Sequence, residues 1–95
     1  MRFLEIKISN NVLYQLDRIS HYCSFRYGSD FGVKLYNDVN RVVDLLADNP
    51  KLYRSRTKEG DRIVPLINGY KLYYRIEDDT VCIYLLTGKG AKDTF

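Results

Sequence analysis

Two apolar stripes at helical spacing, separated by one short link, limit what this chain can fold into more than any other feature. Val12, Leu16, Ile19 and Cys23 recur at steps of four, three and four, which puts them on one side of a helix running to about Tyr27. Phe31, Leu35, Val39, Val42 and Leu46 repeat the pattern at steps of four, four, three and four. Ser9, Asn10 and Asn11 offer caps for the first helix and Ser29 or Asp30 for the second, while Gly28 suits the left-handed position that ends a helix. Asn49-Pro50 stops the second helix, because proline disfavours the helical conformation in the residue before it. With only two or three residues between them, the helices must fold back as an antiparallel hairpin.

The rest of the chain reads as strands. Residues 3–8 alternate, with Leu4, Ile6 and Ile8 on one face and Phe3, Glu5 and Lys7 on the other. Residues 51–61 contain Gly60 and four basic side chains, Lys51, Arg54, Arg56 and Lys58, with no apolar period, and read as a loop. Then come a run from Arg62 to Ile67, an Asn68-Gly69 turn, a run from Tyr70 to Ile76, an acidic turn at Glu77-Asp78-Asp79-Thr80, and a run from Val81 to Thr87. Asn-Gly between two alternating runs is a strong hairpin signal, and Pro65 marks its strand as irregular or at an edge. The order is β-α-α-β-β-β, an α+β fold in which an antiparallel helical hairpin packs on one face of a twisted antiparallel sheet. In the run after Asn68-Gly69, Tyr70, Leu72, Tyr74 and Ile76 share a face suited to a core. Lys71, Tyr73 and Arg75 share the other, where two cations flank a phenol in a way that suits a polyanion or a solvated sheet.

Ninety-five residues make a single domain, 1–95, with room for one core. No apolar run approaches the roughly 20 residues of a membrane helix, and the start lacks a signal-peptide pattern, so no membrane role and a cytoplasmic location are expected. Cys23 and Cys82 are far apart in sequence and read as small apolar residues; with His21 as the single histidine, no metal site and no cofactor are expected. The net charge of +3 lies wholly in the second half: residues 1–50 hold six basic and six acidic side chains, residues 51–95 nine and six. That asymmetry favours an anionic partner for the second half. Most of the nine tyrosines sit where amphipathic packing alone explains them.

Taken in order, the residues resemble the RelE/ParE toxins of bacterial type II toxin–antitoxin systems. The resemblance covers nearly the whole chain. It rests on Ser9, Leu16, Ile19 and Tyr22, then Gly28 and Gly32, then Leu46 and Pro50, and on Gly69-Tyr70-Lys71-Leu72-Tyr73-Tyr74-Arg75-Ile76, which is similar to the family's Gly-Tyr-Arg-Leu-x-Tyr-x-Val strand. It implies a toxin held inactive by a cognate antitoxin, in a hetero-oligomer with it, and a target that is either DNA gyrase or ribosome-bound mRNA. For the mRNA-cleaving branch it implies an endoribonuclease with basic residues on the open sheet face, and Lys71, Arg75 and Lys92 are the catalytic candidates. Lys71 stands where the motif has arginine, keeping the charge but losing the bidentate fork. Read from the sheet alone, Lys71 is equally a solvated cross-strand charge.

Gly88-Lys89-Gly90-Ala91-Lys92 resembles the family's Gly-Lys-Arg-x-Arg segment, but Phe95 falls where active nucleases often carry tyrosine or histidine, and phenylalanine moves no proton. Together with two uninterrupted helices, that departure favours the gyrase-directed, ParE-like branch over the RelE-like ribosome-dependent one. A third reading is a non-catalytic antitoxin-binding protein on the same scaffold. Arg54, Arg56, Lys58, Arg62, Tyr73 and Lys89 are the candidates for contact with nucleic acid or a protein partner, the first four as the densest basic cluster and Tyr73 as a platform for a base.

Overall fold

The computed structural model describes residues 5–88, with the side chains of Cys23, Tyr27 and Ser29 outside that description. Strand β1 is Glu5–Ile8, helix α1 Asn10–Tyr27 and helix α2 Ser29–Asp48; β2 is Arg62–Pro65, β3 Lys71–Glu77 and β4 Thr80–Thr87, with a 3₁₀ turn at Ile67–Gly69 between β2 and β3. This is the α+β class and the β-α-α-β-β-β order that the apolar periods predict. Neither helix is long and apolar enough to cross a membrane.

Ser9 starts α1, its hydroxyl accepting the Val12 N–H at 3.2 Å. Gly28 alone joins the helices, at φ +101° and ψ 159°, so it ends α1 and also takes the capping position of α2 expected for Ser29 or Asp30. A Cβ there would meet nothing within 4 Å, so the requirement for glycine is conformational rather than steric.

The sheet order is β1-β4-β3-β2. β2, β3 and β4 are antiparallel neighbours as expected, but β1 lies parallel to β4, with Ile6 opposite Val81 and Ile8 opposite Ile83. The sheet is therefore mixed. The cause is topological: α1 and α2 reverse the chain twice, residues 49–61 carry it back, and β2 then runs in the direction of β1. Two further reversals leave β4 pointing the same way.

Leu35, Val42 and Leu46 of α2, Val12 and Leu16 of α1, and Val64, Leu72, Tyr74, Val81, Ile83 and Leu86 of the sheet form the core between hairpin and sheet. Two irregularities interrupt the regular pattern of the sheet. Tyr73 pairs with Leu85 and Tyr74 with Ile83, which leaves Tyr84 as an extra residue in β4. Such a bulge changes the alternation, so Val81 and Ile83 face the core before it and Leu86 after it. The second lies at the β2–β3 turn, where the Ile67 N–H donates to Asp38 Oδ2 of α2 at 2.8 Å and the Leu66 N–H goes to the Tyr70 carbonyl at 2.7 Å. The turn therefore spans Ile67–Gly69 rather than Asn68-Gly69 alone. Asn68 and Gly69 both take positive φ, 57° and 81°, as an Asn-Gly pair readily does.

Candidate functional site

Asp61 is the centre of the open sheet face. The loop before it is built inward: the Gly60 N–H closes a turn on the Thr57 carbonyl at 3.1 Å, the Ser55 hydroxyl donates to the same carbonyl at 2.8 Å, and the Arg56 N–H donates to the Asp61 carbonyl at 2.7 Å. The Thr57 hydroxyl donates to Asp61 Oδ2 at 2.7 Å and accepts the Asp61 N–H at 3.1 Å. From the sheet, Arg75 donates to Asp61 through Nε and through Nη2, the latter at 3.1 Å, and the Tyr84 hydroxyl donates to Oδ1 at 2.6 Å. The Arg75 guanidinium also lies 5.7 Å from the Tyr84 ring centroid, and Glu77 is 3.9 Å from its Nη1. A carboxylate 2% exposed thus ties a loop, β3 and the bulged residue of β4 to one point.

The electrostatics follow from these bonds. Hydrogen bonds from Arg75 hold the Asp61 carboxyl far below the usual carboxylate range, against the opposing effect of burial, with Tyr84 and Thr57 adding to the lowering. Burial first, and then the bond to Asp61, pushes the Tyr84 phenol well above its ordinary value. The linkage sign is set by proton binding: above about pH 10 the unfolded chain loses its tyrosine protons while folded Tyr84 keeps its own. Stability therefore falls as the pH rises through that range, and Tyr84→Phe flattens the fall. Urea midpoints measured between neutral pH and pH ~11 check this.

The predicted site residues are scattered. Arg75 is on the open face as expected, but its guanidinium is committed to Asp61. Lys71 is half-buried at the other end of β3, opposite Pro65 and Thr87, and about 13 Å from Arg75 at the usual rise of a strand. Tyr73 is 0% exposed, beside Tyr84 at a ring-centroid distance of 6.4 Å, so it offers no face to a base. Its cross-strand neighbours Ile63 and Leu85 also stand outside the main core cluster, on the same side of the sheet. Arg54, Arg56 and Lys58 are exposed, whereas Arg62 is drawn inward: its Nη1 donates to the Tyr53 carbonyl, and its Nε is buried without a hydrogen-bond partner among the described residues. The basic cluster is therefore three side chains on a hydrogen-bonded loop rather than four. Lys89 and Lys92 lie outside the described residues, as does Phe95.

Cys82 is not a core residue. It lines a shallow hollow with Arg75, Glu77 and Tyr84. Among the described residues no three His, Cys, Asp or Glu side chains converge.

Asp61, Thr57 and Tyr84 were missed as functional candidates by reasoning from sequence. Counting two residues back from Ile63 puts Asp61 on the face of Arg75, a usable signal once Ile63 is known to sit opposite Tyr73. Chemically, the centre is an ion pair between a buried carboxylate and a partly exposed guanidinium, and it fixes a cationic loop.

Three comparisons place the chain among known proteins. A family model described as the ParE toxin of the type II toxin–antitoxin system parDE matches residues 6–93. No curated protein sequence matches significantly. Among solved structures, a chain of the "Chromosomal ParDE TA system from P. aeruginosa" superposes with a TM-score of 0.76 at 15% identity, covering 92% of this chain and 97% of that one, a likeness of fold.

Proposed function

The chain belongs to the ParE toxin family of type II toxin–antitoxin systems, and from that membership we propose that it arrests growth by acting on DNA gyrase and is held inactive by a cognate antitoxin. The observation that carries this reading over mRNA cleavage is the commitment of Arg75 to Asp61. A guanidinium that stabilises a phosphorane-like transition state must present its donors to the reacting phosphate, and here both its Nε and Nη2 are spent on a buried carboxylate. The exposed Arg54, Arg56 and Lys58 are held out on a loop fixed by its own hydrogen bonds, which supports contact with the phosphates of gyrase-bound DNA. The structural neighbour comes from a ParDE toxin–antitoxin system, which supports an antitoxin partner for this chain.

Expression without an antitoxin is expected to stop growth, and the purified chain to inhibit gyrase supercoiling while leaving ribosome-bound mRNA intact. Lys71→Ala and Lys92→Ala should retain that inhibition. Combined charge reversal at Arg54, Arg56 and Lys58 should weaken it and reduce its salt sensitivity. Cleavage of ribosome-bound mRNA that disappears in Lys71→Ala would replace the gyrase reading with the nuclease one. Cells that grow normally would leave an antitoxin-binding protein without toxicity.

A further inference from the structure

The side of α1 opposite its core stripe carries aromatic rings that the other described residues leave uncovered. Phe25 is 90% exposed, Tyr14 61% and Tyr22 57%. With Arg18 they follow steps of four, four and three, so they form one stripe along the helix. The Arg18 guanidinium lies 5.7 Å from the Tyr14 ring centroid. Asp17, Arg18, His21, Tyr22 and Phe25 line a hollow of about 420 Å³, and Asp17 and His21 continue into a second of about 480 Å³ whose far wall is Val33 and Tyr36 of α2. The second hollow forms where the helices approach at Gly32, at which a Cβ would come 2.7 Å from Ser24 Oγ and 3.2 Å from the Ser20 carbonyl oxygen. Ser20 Oγ is buried beside it with no hydrogen-bond partner among the described residues.

We propose that this face is the interface of a two-fold homodimer in which α1 packs antiparallel against α1 of a second copy. A two-fold interface is made by one patch meeting itself, so the patch must be self-complementary. If two α1 helices cross between Ile19 and Ser20, residues whose numbers sum to about 39 face each other. Tyr14 then meets Phe25 of the second copy, an aromatic pair; Arg18 meets Tyr22, a cation over a ring; and Asp17 meets His21, an acceptor against a donor. Each pair occurs twice. No alignment of opposite charges with an unrelated partner is needed, because Asp17 and Arg18 place both signs next to the crossing point.

The exposed area is consistent with a second copy. At about 200 Å² per ring, the exposed parts of Tyr14, Tyr22 and Phe25 amount to roughly 400 Å². Val33 and Tyr36, 60% and 39% exposed, bring the patch to about 600 Å² per copy. The total of about 1,200 Å² lies at the lower edge of specific interfaces, which sets a dimer that forms reversibly with concentration.

Light scattering behind size exclusion, on the full chain made by cell-free synthesis, tests this between about 1 and about 100 µM. The mass should climb from 11.2 kDa towards twice that value. Tyr14→Glu and Phe25→Glu should stay monomeric throughout with unchanged circular dichroism. Leu52→Glu, at an exposed leucine on the link after α2, should dimerise like the parent. A parent that remains monomeric at the highest concentration overturns the proposal, and so does equal loss in the Leu52 variant. Register has its own test in a Cys23→Ala, Cys82→Ala background. Tyr14→Cys and Phe25→Cys chains should oxidise to a mixed disulfide when combined and not when alone, since Phe25 and its own copy would lie about 16 Å apart along the helices. Self-linking of Phe25→Cys as fast as the mixture excludes the antiparallel arrangement.

Discussion

Asp61→Ala is expected to lower the unfolding free energy by about 3 kcal/mol and to release the basic loop before any other part of the fold. The carboxylate accepts hydrogen bonds from Thr57, Tyr84 and Arg75. Removing it strands the Tyr84 hydroxyl in a half-buried position and opens the turn whose side-chain anchor is Thr57. Arg75 is left less stranded than Tyr84, because 38% of its side chain is in water and solvent takes over part of its bonding. Urea denaturation measures the global term. Hydrogen exchange at the Arg56 and Gly60 amides measures the local one, and both should lose protection even where the helices keep theirs.

The same centre predicts an acid profile. The folded Asp61 pKa is depressed below the unfolded value of about 3.9, so its stabilisation is complete above about pH 5 and is lost as the pH falls from there towards the folded value. Asp61→Asn should remove that part of the acid dependence. A variant as stable as the parent, with the same protection at Arg56, would show that the network holds nothing.

The helices, the cap of the first and the order of elements along the chain were legible because each rests on local signals. Ser9 caps where a cap was expected, Gly28 turns the chain, and the apolar periods place Leu35, Val42 and Leu46 in the core. The parallel pairing of β1 was not legible, since strand direction depends on the count of reversals across the whole chain. Nor was the burial of Tyr73. Alternation correctly puts it on the face opposite the core, but sequence does not say that this part of the face is covered, and the Leu85 placement beside it depends on a bulge at Tyr84. The candidate site divided along the same line. Arg54, Arg56 and Lys58 are exposed because a loop without apolar period has nothing to bury. Arg62 and Arg75 turn inward because carbonyl and carboxylate partners 9 and 14 residues away in sequence reach them. Charge counted along a chain takes no account of such distant acceptors. That is how a cluster of four cations became three, and how a catalytic candidate became one half of an ion pair.

Tyr74→Ala should be the most damaging single change in the described chain, lowering stability by about 4 kcal/mol and the melting temperature by about 20 °C. The side chain is 0% exposed and stands in the core cluster among residues from both helices and the sheet, so truncation leaves a ring-sized cavity at the centre of the contact between hairpin and sheet. The phenol has a second duty: its hydroxyl donates to the Pro50 carbonyl at 2.7 Å, fixing the chain where it leaves α2. The two effects separate by substitution. Tyr74→Phe keeps the ring and loses only the bond, at about 1 kcal/mol, while Tyr74→Ala loses both. For a domain whose total stability lies at about 5–15 kcal/mol, the alanine variant removes a third or more of it, and the phenylalanine variant stays folded. Thermal unfolding of the pair distinguishes them. If Phe costs as much as Ala, the Pro50 bond rather than ring packing holds the loop and the core together, and the apolar face of β3 has been given too large a share of the fold.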